Sequence, residues 1–127
     1  MLKWIDALRR RRRDHQWTRR AAAVKAEGDE RRELLAGQEA DVFDLEALLF
    51  RHDPVGIAFK DNTDEYRPEA ETITLRRHEV HSVDALRTMM HQEFVRWFDL
   101  EIAGPEARYD SIAEELWLTW GPGSQPR

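Results

Sequence analysis

The residues best suited to metal chemistry in this chain are His78, Glu79 and His81, which read H-E-V-H, with His91 ten positions beyond His81. Imidazole and carboxylate are proper ligands for zinc. In the zinc-hydrolase pattern H-E-x-x-H the two histidines stand four apart, so that both project from one helical face. Here they stand three apart, at a junction between helix and loop, and the spacing favours surface histidines. A metal-dependent hydrolase would have to use His78, His81 and His91; the sequence offers no other specific form of enzyme.

A second crowd holds Asp61, Asn62, Asp64, Glu65, Glu69 and Glu71. Hard cations favour such oxygen ligands. A calcium loop starting at Asp61 would place Thr63 at its third position and Tyr66 at its sixth, where an acidic group and a glycine are needed, so the template fails. These residues read instead as loop structure, with Asp64 or Glu65 accepting backbone N–H groups or capping a helix that begins near Glu69. Asp61, Asp64, Glu65 and Tyr66 are also the candidate contacts for a partner.

The rest of the catalytic repertoire is missing. There is no cysteine, which excludes disulfides, thiolate metal sites and a thiol nucleophile. No serine lies in a G-x-S-x-G elbow, and no G-x-x-x-x-G-K-[ST] loop occurs. Gly28, Gly37, Gly56 and Gly104 are isolated, whereas a phosphate cradle needs clustered glycines. Trp97, Trp117 and Trp120 read as core or edge packing ahead of an aromatic cage. The expectation is a protein without cofactor, metal or catalytic site.

Charge is the more informative property. The 127-residue chain carries a formal net charge of −5, but residues 1–20 hold eight basic and two acidic side chains, whereas residues 21–127 hold twelve basic and twenty-three acidic ones. An arm at +6, centred on Arg9, Arg10, Arg11, Arg12 and Arg13, thus precedes a body at −11. Such an asymmetry suggests separate tasks. The arm has three readings. It is an interfacial anchor with Leu2, Trp4, Ile5 and Leu8 near one helical face. It is a binder of nucleic acid through phosphate neutralisation. Or it is a solvated helix start that packs Trp4 and Trp17 on the acidic body. Body acidity counts against tight nucleic-acid binding.

The elements that must position these groups are helical. Gly28 and Asp29 suggest a break after a first helix-forming segment, and Gly37 suggests a stop for 30–36. Val42, Leu45, Leu48 and Leu49 form a stripe over a helix of about 40–52, which Pro54 ends. Residues 53–68 form one long irregular loop, tied down by Ile57, Phe59 and Tyr66. A short helix follows over 69–77, with Pro68 just before it, although Ile73 and Leu75 taken alone would also suit a strand. Ser82 is an N-cap, and Val83, Leu86, Met90, Phe94 and Trp97 make the strongest helical stripe in the chain. Gly104 and Pro105 break it, and 105–120 is helical again. The expected fold is all-α: a small antiparallel bundle of four to five helices. It divides into a basic arm or helix start (1–20), an acidic bundle (21–120) and a tail (121–127).

Asp53-Pro54, Asp64-Glu65-Tyr66 with Glu69 and Ile73, the aromatic run 94–98 and the helix 112–120 together resemble an uncharacterised family of small bacterial helical-bundle proteins, a domain of unknown function, over residues 48–120. The resemblance implies a helical bundle and no assigned activity, and it does not reach the arginine-rich arm.

With no cysteine, no apolar run near the ~20 residues that span a bilayer, and arginines after rather than before the first apolar stretch, the cytoplasm is the expected compartment. The expected function is non-catalytic. The acidic body would recognise a basic surface on another protein, in the manner of an immunity protein or antitoxin, with accessory binding of a membrane surface or nucleic acid through the arm as the alternative.

Overall fold

A computed structural model describes residues 28–57 and 65–121. Residues 28–34 are helical (α1), followed by a turn at 35–37 in which Gly37 takes φ +88°. Gly28 and Asp29 are helical, and the segment before them, after which a break is expected, lies outside the described residues. Then come α2 (Glu39–His52), α3 (Arg67–Leu75), a 3-10 turn (Arg77–Glu79), α4 (Val83–Phe98), the single-turn α5 (Leu100–Ala103), a second 3-10 turn (Glu106–Tyr109) and α6 (Asp110–Trp120). Among the described residues there is no strand, and the fold is all-α.

The ends of these helices follow from local chemistry. Asp53 takes the left-handed conformation after α2 and its N–H donates to the Leu49 carbonyl at 2.7 Å, while Pro54 prevents continuation. The Ser82 side chain accepts from the Ala85 N–H at 3.1 Å and starts α4. Asp99 stands at φ 104°, ψ 169° between α4 and α5, and its carboxylate accepts from the Ile102 N–H at 2.9 Å. α3 begins two residues earlier than its pattern suggests, because Pro68 fits within a first turn whose N–H groups need no intrahelical partner. It also ends earlier, which leaves Arg77 in the 3-10 turn.

Four helices close into a ring: α2 packs on α3, α3 on α4, α4 on α6, and α6 back on α2. Leu45, Leu49, Ile73, Leu86, Met90 and Phe94 are fully buried between them. Each such side chain contributes roughly 1.5–3 kcal/mol on leaving water. Phe94 is the hub, with ring centroids 5.1 Å from Tyr109, 5.8 Å from Phe98 and 6.0 Å from Tyr66.

α3 is the unusual member. Its six residues from Glu69 to Thr74 are all buried, and four of them are polar. A short helix enclosed on several sides must have its polar groups answered. Arg31 donates to Glu71 at 3.0 Å, and the Trp97 indole N–H donates to the Thr72 hydroxyl at 3.2 Å. Two neighbouring carboxylates are answered similarly, Glu46 on α2 by Arg67 at 2.7 Å and Glu93 on α4 by Arg76 and Arg96, each at 2.8 Å.

Candidate functional site

The candidate partner contacts fare differently. Asp61 and Asp64 lie outside the described residues, as does the arm Arg9–Arg13. Glu65 is partly exposed. Tyr66 is fully buried, which corrects the expectation that it offers a surface contact. Its hydroxyl donates to Asp53 Oδ1 at 2.7 Å, and the Ile57 N–H reaches the same oxygen at 2.8 Å. The Val55 N–H donates to the Tyr66 hydroxyl at 3.3 Å. Burial first, and then the Asp53 carboxylate, push the phenol far above its ordinary range. Tyr66 ties down the loop after α2, the task the sequence assigned to it together with Ile57, which is buried, and Phe59, which lies outside the described residues. The N-cap position of α3 is Tyr66 itself, and its side chain makes no cap hydrogen bond.

The histidines do not converge. His78 and His81 are exposed around the first 3-10 turn. His91 is held elsewhere, with Nε2 2.8 Å from the Gly104 carbonyl, which it must reach as a donor. Among the described residues no group of three His, Asp or Glu side chains is placed to hold a metal ion.

Two regions remain that can recognise something. The first is the acidic exterior. Nine arginines stand against twenty carboxylates in the described residues. Eight of the nine pair with carboxylates of the same chain; among them Arg51 reaches Glu115 at 2.8 Å, Arg77 reaches Asp41 at 3.3 Å and Arg87 reaches Glu106 at 3.1 Å. The ninth, Arg108, donates to the carbonyls of Pro54, Ile102 and Ala103. The cations are therefore committed internally. Among the described residues, Glu30, Glu33, Asp44, Glu101 and Glu114 are exposed and make no ion pair. Leu34 and Phe43 are exposed next in sequence to Glu33 and Asp44.

The paired carboxylates carry the expected shifts. Hydrogen bonds from Arg51 and His52 hold Glu115 down to about 2. Those from Thr88 and Arg87 lower Glu106. Burial pushes Glu93 up, but hydrogen bonds from Arg96, Arg76 and Thr72 together outweigh it, and the group stays below the usual carboxylate range.

The second region is a cleft of about 430 Å³ where the end of α3, the turn after it and the end of α6 meet. Gln38, Thr74, Leu75, Arg77, His78, Val80, His81, Trp117 and Trp120 line it. The Arg77 guanidinium lies over the Trp120 ring at 4.9 Å, a cation–π geometry. Thr74 is 2% exposed, and its hydroxyl has no hydrogen-bond partner. Trp117 and Trp120 pack against the core as expected, and each also presents surface to this cleft. The sequence does not announce the cleft, since its walls come from three separated segments; the only clue is the recurrence of His, Arg and Trp near the ends of neighbouring helices.

No protein-family model, curated protein or solved structure matches the chain. The likeness of residues 48–120 to an uncharacterised bacterial family therefore rests on the motifs quoted above. No helix among the described residues is long and apolar enough to cross a membrane.

Proposed function

We propose that this protein is a non-catalytic binding module whose acidic helical body docks onto a basic surface of another protein. One observation supports the reading: the nine arginines among the described residues are committed to internal contacts, so the surplus of carboxylates there is left to the exterior. Complementary charge speeds encounter, and a few exposed apolar anchors set affinity. Glu30, Glu33 and Asp44, with Leu34 and Phe43 beside them in sequence, have that composition. The finer form of the proposal is a neutraliser of a basic protein, immunity- or antitoxin-like, working in the cytoplasm, with Asp61, Asp64 and Glu65 adding to the contact.

The test compares proteins retained from a native lysate by the wild type, by E30K/E33K/D44K and by D64K/E65K. The proposal expects basic proteins on the wild type, released by salt and lost from a charge-reversed variant. Undiminished retention of the same proteins by both variants would reject it.

The five consecutive arginines Arg9–Arg13 support a second reading, an accessory protein on anionic membranes or nucleic acid. Removal of residues 1–20 should then abolish salt-sensitive binding to liposomes or DNA while the bundle stays folded. Equal binding by the truncated protein rejects it.

A further inference from the structure

α2 carries two apolar stripes. Val42, Leu45, Leu48 and Leu49 are buried and form its inner face. Ala40, Phe43, Ala47 and Phe50 recur at steps of three, four and three residues on the other side. That is the spacing with which one helix seats along another in a coiled coil. Ala40, Phe43 and Ala47 are exposed, Phe43 at 64%, and Phe50 is half-buried. Single exposed apolar side chains are ordinary; a run at seam spacing on the outside of a helix is not, because that side is expected to be polar. The flanks of α2 are taken by its neighbours, with Glu46 meeting Arg67 on α3 and Arg51 meeting Glu115 on α6. We propose that this outer stripe receives an amphipathic helix rich in Lys and Arg, supplied by the partner protein. The inference rests on the binding reading above and names the element that docks.

Charge selects the occupant. Residues that flank such a stripe set partner choice. Here they are Glu39 and Glu46 on one side, Asp44 and Arg51 on the other. Three of the four are acidic, and the one base, Arg51, already pairs with Glu115 at 2.8 Å. Glu46 is turned to Arg67, which leaves Glu39 and Asp44 exposed beside the stripe, Asp44 without an ion pair among the described residues. A second copy of the chain suits this face poorly. A twofold contact sets a patch against itself, so the same carboxylates would return to the seam and repel. A cationic helix is complementary instead. The small Ala40 and Ala47, set between the larger Phe43 and Phe50, leave holes for its bulky apolar side chains.

The experiment adds synthetic three-heptad peptides to the full chain and follows its backbone amide resonances. Both peptides carry Leu along the apolar stripe; one has Lys at the flanking positions and the other has Glu. The Lys peptide should shift Ala40, Phe43 and Ala47, leave Leu100 and Glu101 on α5 in place, and bind less well as salt rises. The Glu peptide should bind about tenfold more weakly or worse. Phe43→Ala and Ala47→Lys, both at exposed positions, should fold normally and each weaken the Lys peptide about tenfold, whereas Leu100→Ala, exposed elsewhere, should leave it unchanged. No shift on α2, equal affinity for the two peptides, undiminished binding by either stripe variant, or the same loss with Leu100→Ala would overturn the proposal. So would stripe resonances that move on dilution of the free chain, which would assign the face to a second copy, or on replacement of Arg9 to Arg13 by glutamine without peptide, which would assign it to the chain's own arm. If E30K/E33K/D44K releases basic lysate proteins while Phe43→Ala keeps them, the acidic body binds and the stripe on α2 does not, so the two readings fail separately.

Discussion

Thr72 and Thr74 stand two residues apart on α3, both buried, at 7% and 2% exposure, yet their surroundings differ in kind. Thr72 faces the seam between α3 and α4. Its hydroxyl donates to the Glu69 carbonyl at 3.3 Å, accepts from Trp97 at 3.2 Å and lies in a network with Glu93. Thr74 faces the cleft and lacks a partner. The arginines that follow part in direction, Arg76 donating to Glu79, Gln92 and Glu93, and Arg77 lying on Trp120 while it pairs with Asp41 on α2. One side of this short helix is a closed polar lock. The other is an open, partly apolar wall. Burial alone does not distinguish a hydroxyl that is answered from one that is not; its partners do.

The contrast can be broken most severely at Glu93. Glu93→Ala should destabilise the bundle by about 2 kcal/mol, because it removes the buried carboxylate that Arg76, Arg96 and Thr72 share as hydrogen-bond acceptor; urea unfolding measures this. A loss within ~0.5 kcal/mol, typical of surface changes, would mean the lock is not a lock.

Acid should act next, through the same group. Glu93, Glu106 and Glu115 all have lowered pKa values in the fold, so their contribution is present above the unfolded carboxylate value and is lost as pH falls through the folded ones. The urea midpoint should decline from about pH 4.3 downward, toward the value of about 2 held by Glu115. Glu93→Gln should flatten part of that decline. At the other end of the scale Tyr66 is raised, so its contribution is full below the unfolded phenol value of about 10 and is lost above it.

The threonines sharpen the comparison directly. Thr72→Val removes the partner of the Trp97 indole and should cost about 1 kcal/mol. Thr74→Val replaces an unanswered hydroxyl with a methyl group and should be neutral or stabilising, by up to ~1 kcal/mol. Equal losses in thermal unfolding would erase the distinction. The smallest effect belongs to the cleft mouth, where His78→Ala and His81→Ala should each change stability by less than about 0.5 kcal/mol.

Much of the fold is legible in the chain. The spacing of Val83, Leu86, Met90, Phe94 and Trp97, the Ser82 cap and the stop at Pro54 are local signals, and local signals survive in a single sequence. The burial of Glu69, Glu71, Thr72 and Thr74 is not legible, because R-P-E-A-E-T-I-T-L carries no apolar stripe. That helix goes inside because distant groups answer it, such as Arg31 from forty residues upstream and Trp97 from twenty-five downstream. Tyr66 misleads for a related reason. Set among Asp61, Asp64 and Glu65 it looks exposed, but its ring belongs to the Phe94 cluster. The histidines stand apart, His91 against the Gly104 carbonyl and the other two around the first 3-10 turn, and the cleft beside that turn forms only where the ends of α3 and α6 come together.

The hydrogen bonds at Asp53 carry a consequence for chain closure. One carboxylate oxygen, Oδ1, holds both the Ile57 N–H and the Tyr66 hydroxyl, so the chain is anchored where it leaves this corner and again where it returns. The entropy of closing the connection between those anchors grows only logarithmically, by about 0.6 kcal/mol for each doubling of length. Loss of that one oxygen, as in Asp53→Ala, would therefore release both anchors together and leave the closing entropy to be met by the helices alone.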